Sequence, residues 1–157
     1  MRTAVLGGAQ RMSLDDLAGA HLHYMEGEAD AIPVRSVKDA NTQLAARWSE
    51  APQLPGTQLG QVEACCLHQM THCRAACVHM RYDGQTVTVA VAHLRDAHPP
   101  TGKTIDGNGR RMTVASQGNL RSVSFTESNR CVCVIGPLPT ESLARLATSL
   151  KLDDREG

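Results

Sequence analysis

Aromatic side chains are nearly missing from this sequence: Trp48, Phe125, Tyr24 and Tyr82 are the whole set. A core must therefore come from Val, Leu, Ala and Met. Net charge is missing as well, since 16 basic and 16 acidic residues cancel. That balance gives nucleic acid or an anionic membrane no electrostatic reason to bind. No apolar run approaches the roughly 18 residues of a membrane-spanning helix. The start, Met1 to Ala9, is basic and then weakly apolar, too short for a signal peptide. Paired carboxylates and a Ser-His-Asp pattern are not found. Gly102, Gly107 and Gly109 imitate a phosphate loop, but Lys103 is misplaced and no strand-to-helix frame surrounds them. These absences point away from an enzyme and toward a binding or sensing domain. The 157 residues, 41% apolar and 20% charged, suit one folded domain.

What the chain does have is a knot of soft ligands. Cys65, Cys66, His68, His72, Cys73, Cys77 and His79 lie within fifteen positions, and Cys131 and Cys133 follow later. Three explanations stand side by side. Cys65 or Cys66 could pair with Cys73 or Cys77 as a disulfide, and an even count of six fits that use. Cys66, His68, His72, Cys73, Cys77, His79, Cys131 and Cys133 are also candidate ligands for Zn or Cu, although no zinc-finger spacing is present. Alternate positions on a strand share a face, so Cys77/His79 and Cys131/Cys133 are each plausible ligand pairs, and neighbouring strands would make them a Cys₃His set. The third explanation is free thiols without a role. A nucleophilic Cys–His pair is the least favoured use, because no cysteine sits at a helix start.

Local patterns predict helices early, hairpins in the middle and a helix at the end. Ser13 caps a helix to about Met25 with Leu14, Leu17, Ala18, Leu22 and Met25 on its apolar stripe. His21 and His23, two apart, face different ways, so at most one joins a site. Ser36 opens a second helix to Trp48, and Pro139 to Ser142 open a third with Leu143, Leu146, Ala147 and Leu150 buried. Asp83-Gly84 is a two-residue hairpin turn that sets Met80 opposite Val87 and Val78 opposite Val89. A second hairpin pairs Val123 and Phe125 with Val132 and Val134. Parity then puts Cys77, His79, Thr86, Thr88, Cys131 and Cys133 on the face away from the valines. Residues 98–111 read as a flexible loop, and Arg110-Arg111 as solvated. The expected fold is α+β: a single antiparallel β-sheet of four to five strands, with N-terminal helices and one C-terminal helix packed on one face. Its expected limits are residues 13–150, between flexible segments at 1–12 and 151–157.

The order of these pieces carries a resemblance. A helix with His21-Leu22-His23, then Ile32-Pro33-Val34-Arg35-Ser36, a helix ending in Trp48 and Leu54-Pro55-Gly56 come first. Cys66 on a first strand, Val78 to Tyr82, Thr86 to Val89, Asn119 to Phe125, Val132 to Pro139 and the closing Glu141–Ala147 follow. Over about residues 13–150 this is similar to the extracytoplasmic sensor domain of membrane-spanning anti-sigma factors, with Phe125 where that family often has tryptophan. The resemblance implies a non-enzymatic role in transcription regulation, a periplasmic location, and a membrane tether before residue 1. The alternatives are a soluble Zn- or Cu-binding protein, cytoplasmic if its cysteines are reduced, and a thiol-redox enzyme. The thiol-bearing sheet face needs cover, which a metal, a disulfide, a protein partner or a second copy of the chain could supply.

Overall fold

The computed structural model describes residues 9–152. The chain runs β1 (Gln10–Arg11), α1 (Leu14–Met25), β2 (Ile32–Pro33), α2 (Val37–Arg47), β3 (Gln61–Gln69), β4 (Arg74–Tyr82) and β5 (Gln85–His93). It continues with β6 (Ala97–His98), β7 (Lys103–Gly107), β8 (Arg110–Gln117), β9 (Leu120–Glu127), β10 (Arg130–Gly136) and α3 (Thr140–Ser149). Eight strands form one antiparallel sheet in the order β2-β3-β4-β5-β10-β9-β8-β7, and β1 pairs with β6 in a separate parallel ribbon. The sheet is thus two meanders joined at a β5–β10 seam.

Turn chemistry explains the meanders. Asp83-Gly84, Asn108-Gly109 and Ser128-Asn129 all hold positive φ at both positions, the backbone that closes two-residue hairpins with the right twist. The registers follow from these turns: Met80 faces Val87, Val78 faces Val89, Val132 faces Phe125 and Val134 faces Val123, as parity requires. These residues form the larger core with Leu44 of α2 and Leu143, Leu146 and Leu150 of α3. Each buried Val or Leu there contributes about 1.5–3 kcal/mol.

Three expectations fail. The sheet has eight strands, not four or five, and the described chain is mostly β. β3 shows no alternation of its own, because cysteines and histidines break its valine-like pattern, and only the family resemblance put Cys66 on a strand. The supposed flexible loop at 98–111 contains β7 and the start of β8 around Asn108-Gly109. The helices, finally, do not share one face. α2 and α3 cover the valine face, whereas α1 lies on the opposite one against β4, β5, β8 and β10. Small residues make that second layer possible: Ala75, Ala90 and Ala92 on the sheet meet Leu17, Ala18 and Ala20 of α1. The buried stripe of α1 is therefore rotated from the expected one. His21 is buried, while Leu22 and Met25 are 43% and 53% exposed.

Of the segment expected to be flexible at 1–12, Gln10–Arg11 form β1 and Met12 is buried; residues 1–8 lie outside the described part. At the other end Lys151 bridges to Gly56, and residues 153–157 lie outside it. Arg110 is not solvated. Its guanidinium donates to the carbonyls of Ala147 and Leu150 at 2.7 and 2.9 Å, closing the C-terminus of α3, and lies 4.1 Å from the Phe125 ring centre.

Candidate functional site

Strand parity and the β5 bridge decide which soft ligands meet. Cys65 pairs with Val78 and joins the valine core, so it leaves the cluster. Cys66 sits directly across from Cys77, on the face beneath α1. The same register places Ala64 across from His79, just before a bulge between Val62 and Ala64, and the β4–β5 ladder sets Thr88 across from His79. The next strand continues the Cys66–Cys77 row through Ala90 to Cys133.

One polar chain runs through this layer. Cys66 Sγ lies 3.3 Å from His79 Nε2. His79 Nδ1 is 2.9 Å from Thr88 Oγ1, which is 3.0 Å from His21 Nδ1. All of these groups are buried, so each polar atom in the chain needs its partner to offset desolvation. Thr88 carries one hydroxyl proton. It donates to one imidazole and accepts from the other, which gives the two Nδ1 atoms opposite roles. Tyr24, one helical turn beyond His21, stacks on His79 with ring centres 3.9 Å apart and planes within 2°. Its hydroxyl donates to Glu63 at 3.2 Å, and burial and that carboxylate raise the phenol above its ordinary value.

The electrostatics separate the two thiols. The neighbouring Cys77 is the largest influence lowering the Cys66 thiol to about 5; the His79 hydrogen bond and the charges of His79 and His68 add to it, against burial. Cys77 moves well upward, through Cys66 beside it and its own complete burial. Cys66 is thus the more acidic thiol of an adjacent pair. Burial, and then the charge of His79, holds His21 down to about 4, so it is neutral near pH 7.

The remaining candidates scatter. His68, on β3, makes an edge contact with His23 at 5.5 Å and acts on Cys66 through its charge. His72 is exposed in the β3–β4 turn, and Cys73 is half-buried there. Cys131 and Cys133 lie on β10, but β5 separates them from β4, a gap of about 10 Å between backbones. The Cys₃His set of Cys77, His79, Cys131 and Cys133 is therefore not assembled. Among the described residues no group of three or more His, Cys, Asp or Glu is arranged to hold a metal ion. All six cysteines are free thiols, and the Cys66–Cys77 register is the one that brings two of them face to face across neighbouring strands. Cover for this face comes from α1, a part of the chain itself.

The chain matches no protein-family model, no curated protein and no solved structure. Among the described residues no helix is long and apolar enough to cross a membrane. His21, Tyr24 and Thr88 belong to the site although sequence reasoning did not assign them to it. The i, i+3 spacing of His21 and Tyr24 was the available signal, and Thr88 was already on the correct face by parity.

Proposed function

We propose that this domain is a non-enzymatic thiol switch, a sensor in which Cys66 reacts with a small oxidant and Cys77 resolves the product as a disulfide. The observation that carries the proposal is a buried cysteine sulfur held 3.3 Å from an imidazole nitrogen, with a second cysteine directly across the strand. Antiparallel partners have Cα atoms about 4.5–5.5 Å apart, inside the range a disulfide spans.

The chemistry balances with a hydroperoxide as oxidant. The Cys66 sulfur attacks one peroxide oxygen, the O–O bond breaks, an S–O bond forms, and the leaving oxygen takes a proton to become water or alcohol. The Cys77 sulfur then attacks the sulfenic sulfur, the S–O bond breaks, and water leaves with the Cys77 proton. Two electrons pass from two thiols to one peroxide. Cys66 is only 3% exposed, so a molecule the size of hydrogen peroxide reaches it through local opening of α1. A disulfide consumes the thiolate that accepts from His79, and so alters the layer on which α1 rests. The wider reading, an outer sensing half of an anti-sigma factor, is supported by the sequence resemblance alone. A neighbouring gene for an extracytoplasmic-function sigma factor would favour it; its absence would leave the switch to an unrelated partner.

Hydrogen peroxide added to the native reduced protein, followed by peptide mapping, tests the switch. The expected product is the Cys66–Cys77 disulfide. Cys66→Ser should abolish it, and Cys77→Ser should leave a sulfenic acid that dimedone traps. Oxidation that falls on Cys73 while Cys66 stays reduced would overturn the proposal.

A further inference from the structure

A second sulfur group lies on the same sheet face, at the β10 end, and takes no part in the switch. Cys131 and Cys133 project side by side from β10 with their sulfurs 3.9 Å apart, and the Met12 thioether lies 3.9 Å from Cys133. All three are buried. Met12 is delivered by the β1–β6 ribbon, which the backbone N–H of Met12 extends by donating to the His98 carbonyl at 2.8 Å. From these contacts we propose that Cys131, Cys133 and Met12 form a binding site for a monovalent soft metal ion, Cu(I).

Geometry comes first. Sulfurs bound at about 2.3 Å around a trigonal ion stand about 4 Å apart, the spacing of Cys133 from both Cys131 and Met12. Chemistry selects the ion: two thiolates and a thioether suit Cu(I), whereas Zn²⁺ takes four harder or mixed ligands and does not use thioethers. A disulfide is a poor alternative. Residues i and i+2 on one strand are about 6.6 Å apart along it with parallel Cβ directions, at the limit of what an S–S bond closes.

A separate observation points into the same space. Ser124, directly across from Cys133 on β9, is buried, and its hydroxyl makes no full hydrogen bond among the described residues. Binding one Cu⁺ would displace the protons of both thiols to solvent and leave a complex of one negative charge. Arg11 lies close enough for its charge to act on Cys131.

The test is an anaerobic titration of the fully reduced chain with Cu(I) against bathocuproine disulfonate. Wild type, Cys66→Ser and Cys77→Ser should each retain about one equivalent. X-ray absorption should show sulfur alone around the metal. Cys131→Ser and Cys133→Ser should each weaken retention by at least about tenfold. Met12→Leu keeps the apolar volume and should fold, so its loss of affinity, with thermal unfolding unchanged, separates ligation from packing. No retained copper, imidazole nitrogen in the first shell, retention that survives Met12→Leu and the cysteine variants, or loss in Cys66→Ser alone would each overturn the proposal. None of the last three outcomes bears on peroxide oxidation at Cys66.

Discussion

Replacing His21 by Leu should remove a specific part of the acid sensitivity of this domain. The imidazole is 2% exposed and held down to about 4 by burial and by His79, against 6.5 in an unfolded chain. A group whose folded value is depressed leaves stability intact above the unfolded value and withdraws it as pH falls toward the folded one. Between pH 6.5 and 4 the unfolded chain binds the His21 proton and the native state does not. From pH 7 to pH 5 that difference amounts to about 2 kcal/mol, and in full to about 3 kcal/mol. Cys66 acts in the same direction over a higher window, from its unfolded value near 9 down to about 5. The measurement must therefore compare variants rather than read one curve. Urea unfolding at pH 7, 6 and 5 gives the slope for each protein. His21→Leu should lose less stability over that interval than wild type, by about 2 kcal/mol, while Cys66 still contributes in both. Equal slopes would refute the buried, neutral His21 on which the Thr88 chain depends.

Other consequences are as direct. Cys66 is a thiolate throughout the range above about 5, so its oxidation by peroxide should be nearly flat from pH 6 to 9; an increase of about tenfold per pH unit would mark an ordinary thiol instead. Arg110→Ala should destabilise by about 2–4 kcal/mol in urea unfolding, because the carbonyls of Ala147 and Leu150 and the ion pair with Glu127 lose a buried charged donor together. Arg110→Lys should recover only part of that, since an ammonium cannot fork between those acceptors. Gly102→Ala should cost about 1–3 kcal/mol, since a methyl there runs into the backbone carbonyl of Val114. A neutral result would show that β7 is free to move away from β8.

Much of the local structure was written in short stretches of the chain. Ser13 and Ser36 accept from Asp16 and Asp39 as helix caps, and Asp83-Gly84 sets the β4–β5 register without help from distant residues. These are interactions within four or five positions, so side-chain chemistry and backbone preference determine them alone. Parity carried further, placing Cys77, His79, Thr88, Cys131 and Cys133 on one face, because alternation is a property of any extended strand. The number of strands was harder to read. In β3 the ligand-rich Ala64-Cys65-Cys66-Leu67-His68 run shows no alternation, so the family resemblance alone put Cys66 on a strand, and Asn108-Gly109 was a hairpin signal obscured by the glycines around it.

Tertiary structure decided the site. That α1 crosses to the thiol face follows from small residues packing on both sides, and an amphipathic pattern does not say which surface it will meet. Its rotation put His21 and Tyr24 against Thr88 and His79, 67 and 55 residues away in sequence. Strand order did the rest: inserting β5 between β4 and β10 divided one apparent ligand set into a Cys66–Cys77–His79 group and a Cys131–Cys133–Met12 group. Neighbour relations among strands depend on how two whole meanders dock. That free energy is a sum over the entire core, and no single segment of the sequence encodes it.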